Sequence, residues 1–217
     1  MTLAALARYR TALVCVVLSV LGPAKAGPYV LSALLNAQTS PAELHARRAT
    51  APPTLDGVLD DELWAGDPMP LQPWVSYNPL RGEPAAQQTD VWVGYDDKAI
   101  YFAFRCLDPE PDKIRSTISR RDNVWNDDWV AVSLDSSRAG QMAYHMFSNP
   151  SGIQMDALQT NNEDTAPDWV WQSAGRITET GYTVEMRVPL ESIRFRGGAD
   201  VRMGVLFMRK NSRLGVS

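Results

Sequence analysis

From Thr89 onward, apolar and polar residues alternate with period two in run after run, with turn residues between the runs. A period of two buries one face of a strand and leaves the other to water or to a covering segment, so these runs predict β-structure. Residues 89–95 set Val91, Val93 and Tyr95 on one face, and residues 100–106 do the same with Ile100, Phe102, Phe104 and Cys106. Asp96-Asp97-Lys98 between them reads as a turn, so the two runs predict a hairpin. Residues 129–135 point Val130, Val132 and Leu134 inward. Residues 141–147, 153–158 and 201–210 read as further strands. In residues 182–188, Tyr182, Val184, Met186 and Val188 oppose Thr183, Glu185 and Arg187. Helical signal is confined to turns at residues 60–64 and 190–193 and a weak segment at 111–119. Many short strands without βαβ alternation predict an all-β, antiparallel β-sandwich of jelly-roll or immunoglobulin-like type.

The chain before this region reads differently. Arg8 and Arg10 precede an apolar stretch at 11–21 that is too short to span a bilayer as a helix. Ala24-Lys25-Ala26 then offers small residues at cleavage positions, which makes 1–26 an expected signal peptide, extending to 37 if the second apolar stretch belongs to it. Residues 27–53 are expected to be a disordered linker, 54–210 the sandwich, and 211–217 a tail truncated before a further domain. Everything before about Thr50 is thus expected to lack a stable place in the fold. Cys15 lies in the leader, leaving Cys106 as a small core residue without a disulfide partner. The leader carries three cations and no acid, so its removal makes a chain of net charge −4 more acidic still. An acidic body excludes nucleic acid as a partner, and the basic run 115–121 reads as a solvated face.

Sugars present apolar CH faces and a rim of hydroxyls, which aromatic plates and carboxylate, amide or guanidinium groups can hold. Trp125, Trp169 and Trp171 lie outside strands or at their ends among acids and amides, and serve as candidate plates. Asp128, Asn149 and Glu185 are candidate partners for the hydroxyls. Packing inside the sandwich is the competing role for any of these tryptophans. Asp122, Asp127 and Asp156, with Asp128 and Asn149 near, offer oxygen ligands for calcium, although the spacing fits no EF-hand loop and solvated turn acids are the alternative. Glu185 paired with Asp128 or Asp156 would be the carboxylates of a glycoside hydrolase. His145 in its strand reads as a structural or surface histidine rather than a zinc ligand.

The motifs have an order: Leu55-Asp56-Gly57 with Asp61 and Trp64; Thr89-Asp90-Val91 to Tyr95-Asp96-Asp97; Ile100-Tyr101-Phe102; Arg121-Asp122 with Trp125 and Asp127-Asp128-Trp129-Val130; Phe147-Ser148-Asn149-Pro150-Ser151-Gly152 to Asp156; Trp169-Val170-Trp171; and Gly181-Tyr182-Thr183-Val184-Glu185-Met186-Arg187-Val188-Pro189. In this order the sequence from about Pro53 to Arg209 resembles the family 9 carbohydrate-binding modules, in the form found at the N-terminus of bacterial outer-membrane barrel proteins. The resemblance implies a jelly-roll sandwich, an oligo- or polysaccharide held between tryptophans, structural calcium in some members, and export to the periplasm or outer membrane. It also implies attachment to a barrel or a catalytic domain. Trp125 and Trp171 lie in the loops that match the family's clamp. The family often has Trp where Tyr182 stands, and the outer-membrane relatives would continue into a barrel where this sequence stops at Ser217. A non-catalytic sugar-binding module is the expected function, with a hydrolase and a docking domain for a barrel as alternatives.

Overall fold

The period-two runs form strands where their patterns place them. The computed structural model describes residues 2–5, 43–78, 81–198, 200–215 and 217. In chain order the strands are β1 (Thr2–Ala5), β2 (Glu43–His45), β3 (Arg47–Arg48), β4 (Thr89–Tyr95), β5 (Ala99–Leu107), β6 (Trp129–Asp135), β7 (Ala143–Ser148), β8 (Gln154–Gln159), β9 (Glu163–Asp164), β10 (Gln172–Thr178), β11 (Gly181–Pro189) and β12 (Arg202–Lys210). Single 3₁₀ turns occupy Glu62–Trp64, Pro111–Lys113 and Leu190–Ser192. The described residues hold no α-helix, so the weak helical signal at 111–119 yields one turn only.

Two sheets result. One runs β2-β1-β12-β6-β7-β8-β9 and the other β10-β11-β5-β4-β3. Pairing is antiparallel except at β1–β12 and β3–β4. The predicted hairpin pairs Val93 with Phe102. Its turn is held by Asp96, whose Oδ1 accepts from the backbone N–H of Lys98 (2.7 Å) and Ala99 (2.8 Å). Between the sheets lie Val91, Val93, Ile100, Phe102, Phe104, Val130, Val132, Leu134, Val184, Met186 and Val188, all buried. Each such side chain contributes about 1.5–3 kcal/mol by leaving water. Cys106 is buried in the same core, and burial pushes its thiol above the ordinary value.

The outward face of the five-stranded sheet is covered as well. Leu63 and Trp64 of the first 3₁₀ turn pack on Trp92, Tyr101 and Ala103. The polar side chains of β11 take part in this: the segment around residues 54–66 lies over Thr183 and Glu185, and Glu185 is 0% exposed.

The N-terminal boundary is corrected. Leu44 is 2% exposed and belongs to the core, and residues 43–53 are ordered against the body, so they are not a disordered linker. Thr2–Ala5 pairs with β12 on one side and β2 on the other, which supplies hydrogen-bond partners that both strands would otherwise lack. The expected h-region and cleavage positions lie outside the described residues. The segment 211–215 is also pinned: Arg213 pairs with Asp108 (3.0 Å), and Asp128 Oδ1 accepts from the Ser212 N–H (2.7 Å) and hydroxyl (2.6 Å).

Candidate functional site

Near one end of the sandwich, β8 of one sheet comes close to β10 of the other. The tight turn that joins β7 to β8 packs against β10. Asn149 organises it, accepting at Oδ1 from the N–H groups of Ser151 (3.0 Å) and Ile153 (2.9 Å) and donating from Nδ2 to Thr117 O (3.0 Å) and Asp127 Oδ2 (2.8 Å). The turn presses so closely on β10 that a Cβ on Gly175 would stand 2.6 Å from the Pro150 carbonyl. Beside this turn opens a groove of about 500 Å³, lined by Leu55, Arg121, Gly152, Ile153, Gln154, Trp171, Gln172 and Ser173.

Arg121 forms one wall. Its guanidinium bonds Asp156 Oδ2 through Nη2 and Gln154 Oε1 through Nη1, reaches Asp168 Oδ1 from Nε (3.0 Å), and donates from Nη2 to the Trp169 carbonyl (2.9 Å). It also lies over the Trp171 ring, 5.8 Å from the centroid. The Trp171 indole N–H donates to the other Asp156 oxygen, and the Trp169 backbone N–H reaches Asp156 Oδ2 (3.2 Å). Asp156 is therefore a buried hub that fixes both the cation and the indole. Burial pushes its carboxyl above the ordinary value, while Arg121 and the Trp171 N–H oppose that rise.

Leu55 reaches the groove from the segment that covers the other sheet. Gly57 sits at φ +80°, and a Cβ there would be 2.9 Å from the Gly175 carbonyl carbon, so this approach requires glycine. Glu185 anchors the segment from below. Its Oε2 accepts from the N–H of Gly57 (2.9 Å) and Asp56 (3.2 Å), and its Oε1 from the Trp64 indole (2.8 Å). Burial raises the Glu185 carboxyl, and these three donors pull against it.

The structure sorts the candidate residues. Trp171 lines the groove but is 4% exposed and packed in the core with Arg121 over its ring, so it offers no free plate. Trp169 is half-buried, edge-on to Tyr144 at 5.1 Å. Trp125 lies away from the groove lining, 43% exposed, packed edge-on to Trp129 (6.2 Å) and Phe147 (5.4 Å). Trp125 and Trp171 thus do not form a clamp over this groove. Asp128, Asn149 and Glu185 are each at most 2% exposed, with the hydrogen bonds described above, so they build the scaffold rather than face a ligand.

The acids divide differently from the expected set. Asp122, Asp156 and Asp168 each bring one oxygen within 4.8 Å of the others. Asp127 lies elsewhere, 3% exposed, accepting from the Thr117 N–H (2.9 Å), the Thr117 hydroxyl (2.8 Å) and Asn149. Within the cluster the Arg121 guanidinium bridges Asp156 and Asp168 and is the cation that these two carboxylates share. Glu185, Asp128 and Asp156 form no facing pair for hydrolysis. Glu185 faces outward from the five-stranded sheet beneath the 54–66 segment, Asp128 holds Ser212, and Asp156 holds Arg121 and Trp171.

Sequence reasoning missed Arg121, Gln154, Asp168, Gln172 and Ser173. Arg121 was hidden in a basic run in which Arg115 and Arg120 are indeed exposed. Its adjacency to Asp122 within the ordered motifs was the available signal.

Comparison with solved structures finds the same fold. A carbohydrate-binding module of family 9 from Caldicellulosiruptor kristjanssonii, solved with cellotriose, matches with a TM-score of 0.53 at 16% identity, over 79% of this chain and 80% of that one. The module from the same organism solved with glucose matches with a TM-score of 0.50 at 17% identity, over 76% and 79% of the two chains. A protein from Bacteroides uniformis ATCC 8492 matches with a TM-score of 0.58 at 14% identity, over 79% and 85%. Comparison with curated proteins gave no match. The family model described as carbohydrate family 9 binding domain-like matches residues 55–212, and the chain belongs to that family.

Proposed function

We propose that this chain is a non-catalytic saccharide-binding module, and that the groove between β8 and β10 receives the sugar. The observation that carries this reading is the groove itself. It sets a mostly buried indole and a leucine side chain beside a guanidinium and two amides, the mixture of apolar and polar surface that a pyranose presents. Membership of the family and the cellotriose and glucose carried by its structural relatives support the choice of ligand. Arg8, Arg10 and the apolar stretch after them support export through a leader whose removal would also take Thr2–Ala5 out of the sheet, and the family resemblance supports attachment to a barrel or a catalytic partner.

Isothermal titration with cellotriose tests the reading. The expected result is saturable binding with a Kd between about 1 μM and 1 mM. Gln172 is exposed on the groove, so Gln172→Ala should weaken binding about five- to tenfold, the worth of one hydrogen bond, with an unchanged unfolding midpoint. No heat from cellotriose, glucose or a xylan oligomer at millimolar concentration would refute the assignment.

A further inference from the structure

Two described residues other than glycine lie in the left-handed backbone region, Arg138 in the loop after β6 and Asp122 beside the groove wall. Asp122 stands at φ +67°. Aspartate and asparagine enter that region more readily than other side chains with a Cβ, and such a conformation persists only where its surroundings hold it. Here they do. The Asp122 N–H donates to the Gln154 carbonyl (2.8 Å), and its Oδ1 accepts from the Asp156 N–H (3.3 Å). Both groups belong to a stretch of β8 that β9 does not reach, because β9 pairs with Leu158 and Gln159. Asp122 thus stands in for a neighbouring strand there, with a carboxylate oxygen in the place of a backbone carbonyl.

The same two residues of β8 hold the preceding side chain. Arg121 bonds Gln154 Oε1 from Nη1 and Asp156 Oδ2 from Nη2, and its guanidinium lies over the Trp171 ring. One dipeptide is therefore pinned twice to one stretch of strand, by backbone and carboxylate at Asp122 and by the guanidinium at Arg121. The first pinning fixes the root of the Arg121 side chain, and with it the place of the guanidinium in the groove wall.

From this double pinning we infer that Asp122 is a positioning residue of the groove. It does not line the groove itself and acts on the sugar through Arg121. The inference rests on the saccharide reading of the groove.

Cellotriose titration of the full chain and its variants provides the test. Asp122→Asn keeps an acceptor and tolerates the left-handed backbone, so its affinity should stay within about twofold of the native chain. Asp122→Gly keeps the backbone but loses the acceptor, and Asp122→Ala is unsuited on both counts. These two should bind about three- to tenfold more weakly, alanine the weaker. With Arg121→Ala already in place, Asp122→Ala should change affinity by less than about twofold, because no guanidinium is left to position. Without sugar, the Arg121 Nε–H signal should shift in the glycine and alanine variants and stay in place in the asparagine variant. Native affinity in both the glycine and alanine variants, or a full further loss in the double variant, would overturn the positioning role and leave the saccharide reading standing. Should the native chain bind no cellotriose, the saccharide reading falls, and the Nε–H signal decides the positioning role by itself: a signal unmoved in Asp122→Gly overturns it.

Discussion

Asp156→Ala is expected to lower stability by about 3 kcal/mol and to weaken cellotriose binding at least tenfold. The substitution strips the buried acceptor from the Trp171 indole N–H and from Arg121 together. An unsatisfied buried donor costs about 1–3 kcal/mol. Breaking a buried ion pair costs about 3–5 kcal/mol when the partner is left stranded. Arg121 is not fully stranded, since Asp168 remains within reach and its side chain is 31% exposed, which keeps the total near the lower figure. Affinity falls because the guanidinium and the indole both lose the residue that positions them. Asp156→Asn retains an acceptor for the indole and should cost less, about 1–2 kcal/mol. Urea unfolding followed by tryptophan fluorescence reads the stability, and an unchanged midpoint for Asp156→Ala would show that the hub carries no weight.

Glu185→Ala is expected to cost about 3–5 kcal/mol by a different route. It leaves the Trp64 indole and the Gly57 N–H without an acceptor in a buried place, and the Asp56 N–H in a partly buried one. The segment around residues 54–66 then loses one of its anchors, keeping those from Thr183 Oγ1 to Gly57 O (2.6 Å) and from Trp92 Nε1 to Gly66 O (3.0 Å), and its cover over Trp92 and Tyr101 loosens. Leu55 loses its position at the groove, so affinity should fall as well. Glu185→Gln keeps a carbonyl but turns an amide NH₂ toward N–H groups, and should lie between the alanine variant and the native chain. The urea midpoint, with a red shift of tryptophan emission in the native baseline, checks this. A loss below about 1 kcal/mol would mean that water replaces the carboxylate at no cost.

The sandwich was legible because its inner face is written with period two. Ile100, Phe102, Phe104 and Cys106 alternate cleanly, and so do Tyr182, Val184, Met186 and Val188, and both sets lie in the core. Strand β10 was not legible. Its Gln-Ser-Ala-Gly-Arg-Ile-Thr run has no alternation, because an edge strand beside a groove has little apolar surface to bury. Short β2 was hidden too, since Leu44 is its one buried residue. The groove was only half legible. The sequence marked Trp171, Asp122 and Asp156, but exposure is a property of the assembled sheets. A tryptophan beside acids reads alike whether its indole N–H meets a sugar or, as at Trp171, a buried aspartate. Asn149, Asp127 and Glu185 show the same ambiguity, with polar side chains that brace backbone N–H groups or their neighbours' side chains inside the protein.

The central claim is that a sugar occupies the groove between β8 and β10, and mapping of amide chemical shifts during titration with cellotriose tests it most directly. The backbone signals of Gly152, Gln154, Gln172 and Ser173, together with the Arg121 side-chain Nε–H, should move in a saturable and concerted way. Shifts that gather around Trp125 and leave these five signals unmoved would place the sugar on another face and contradict the account.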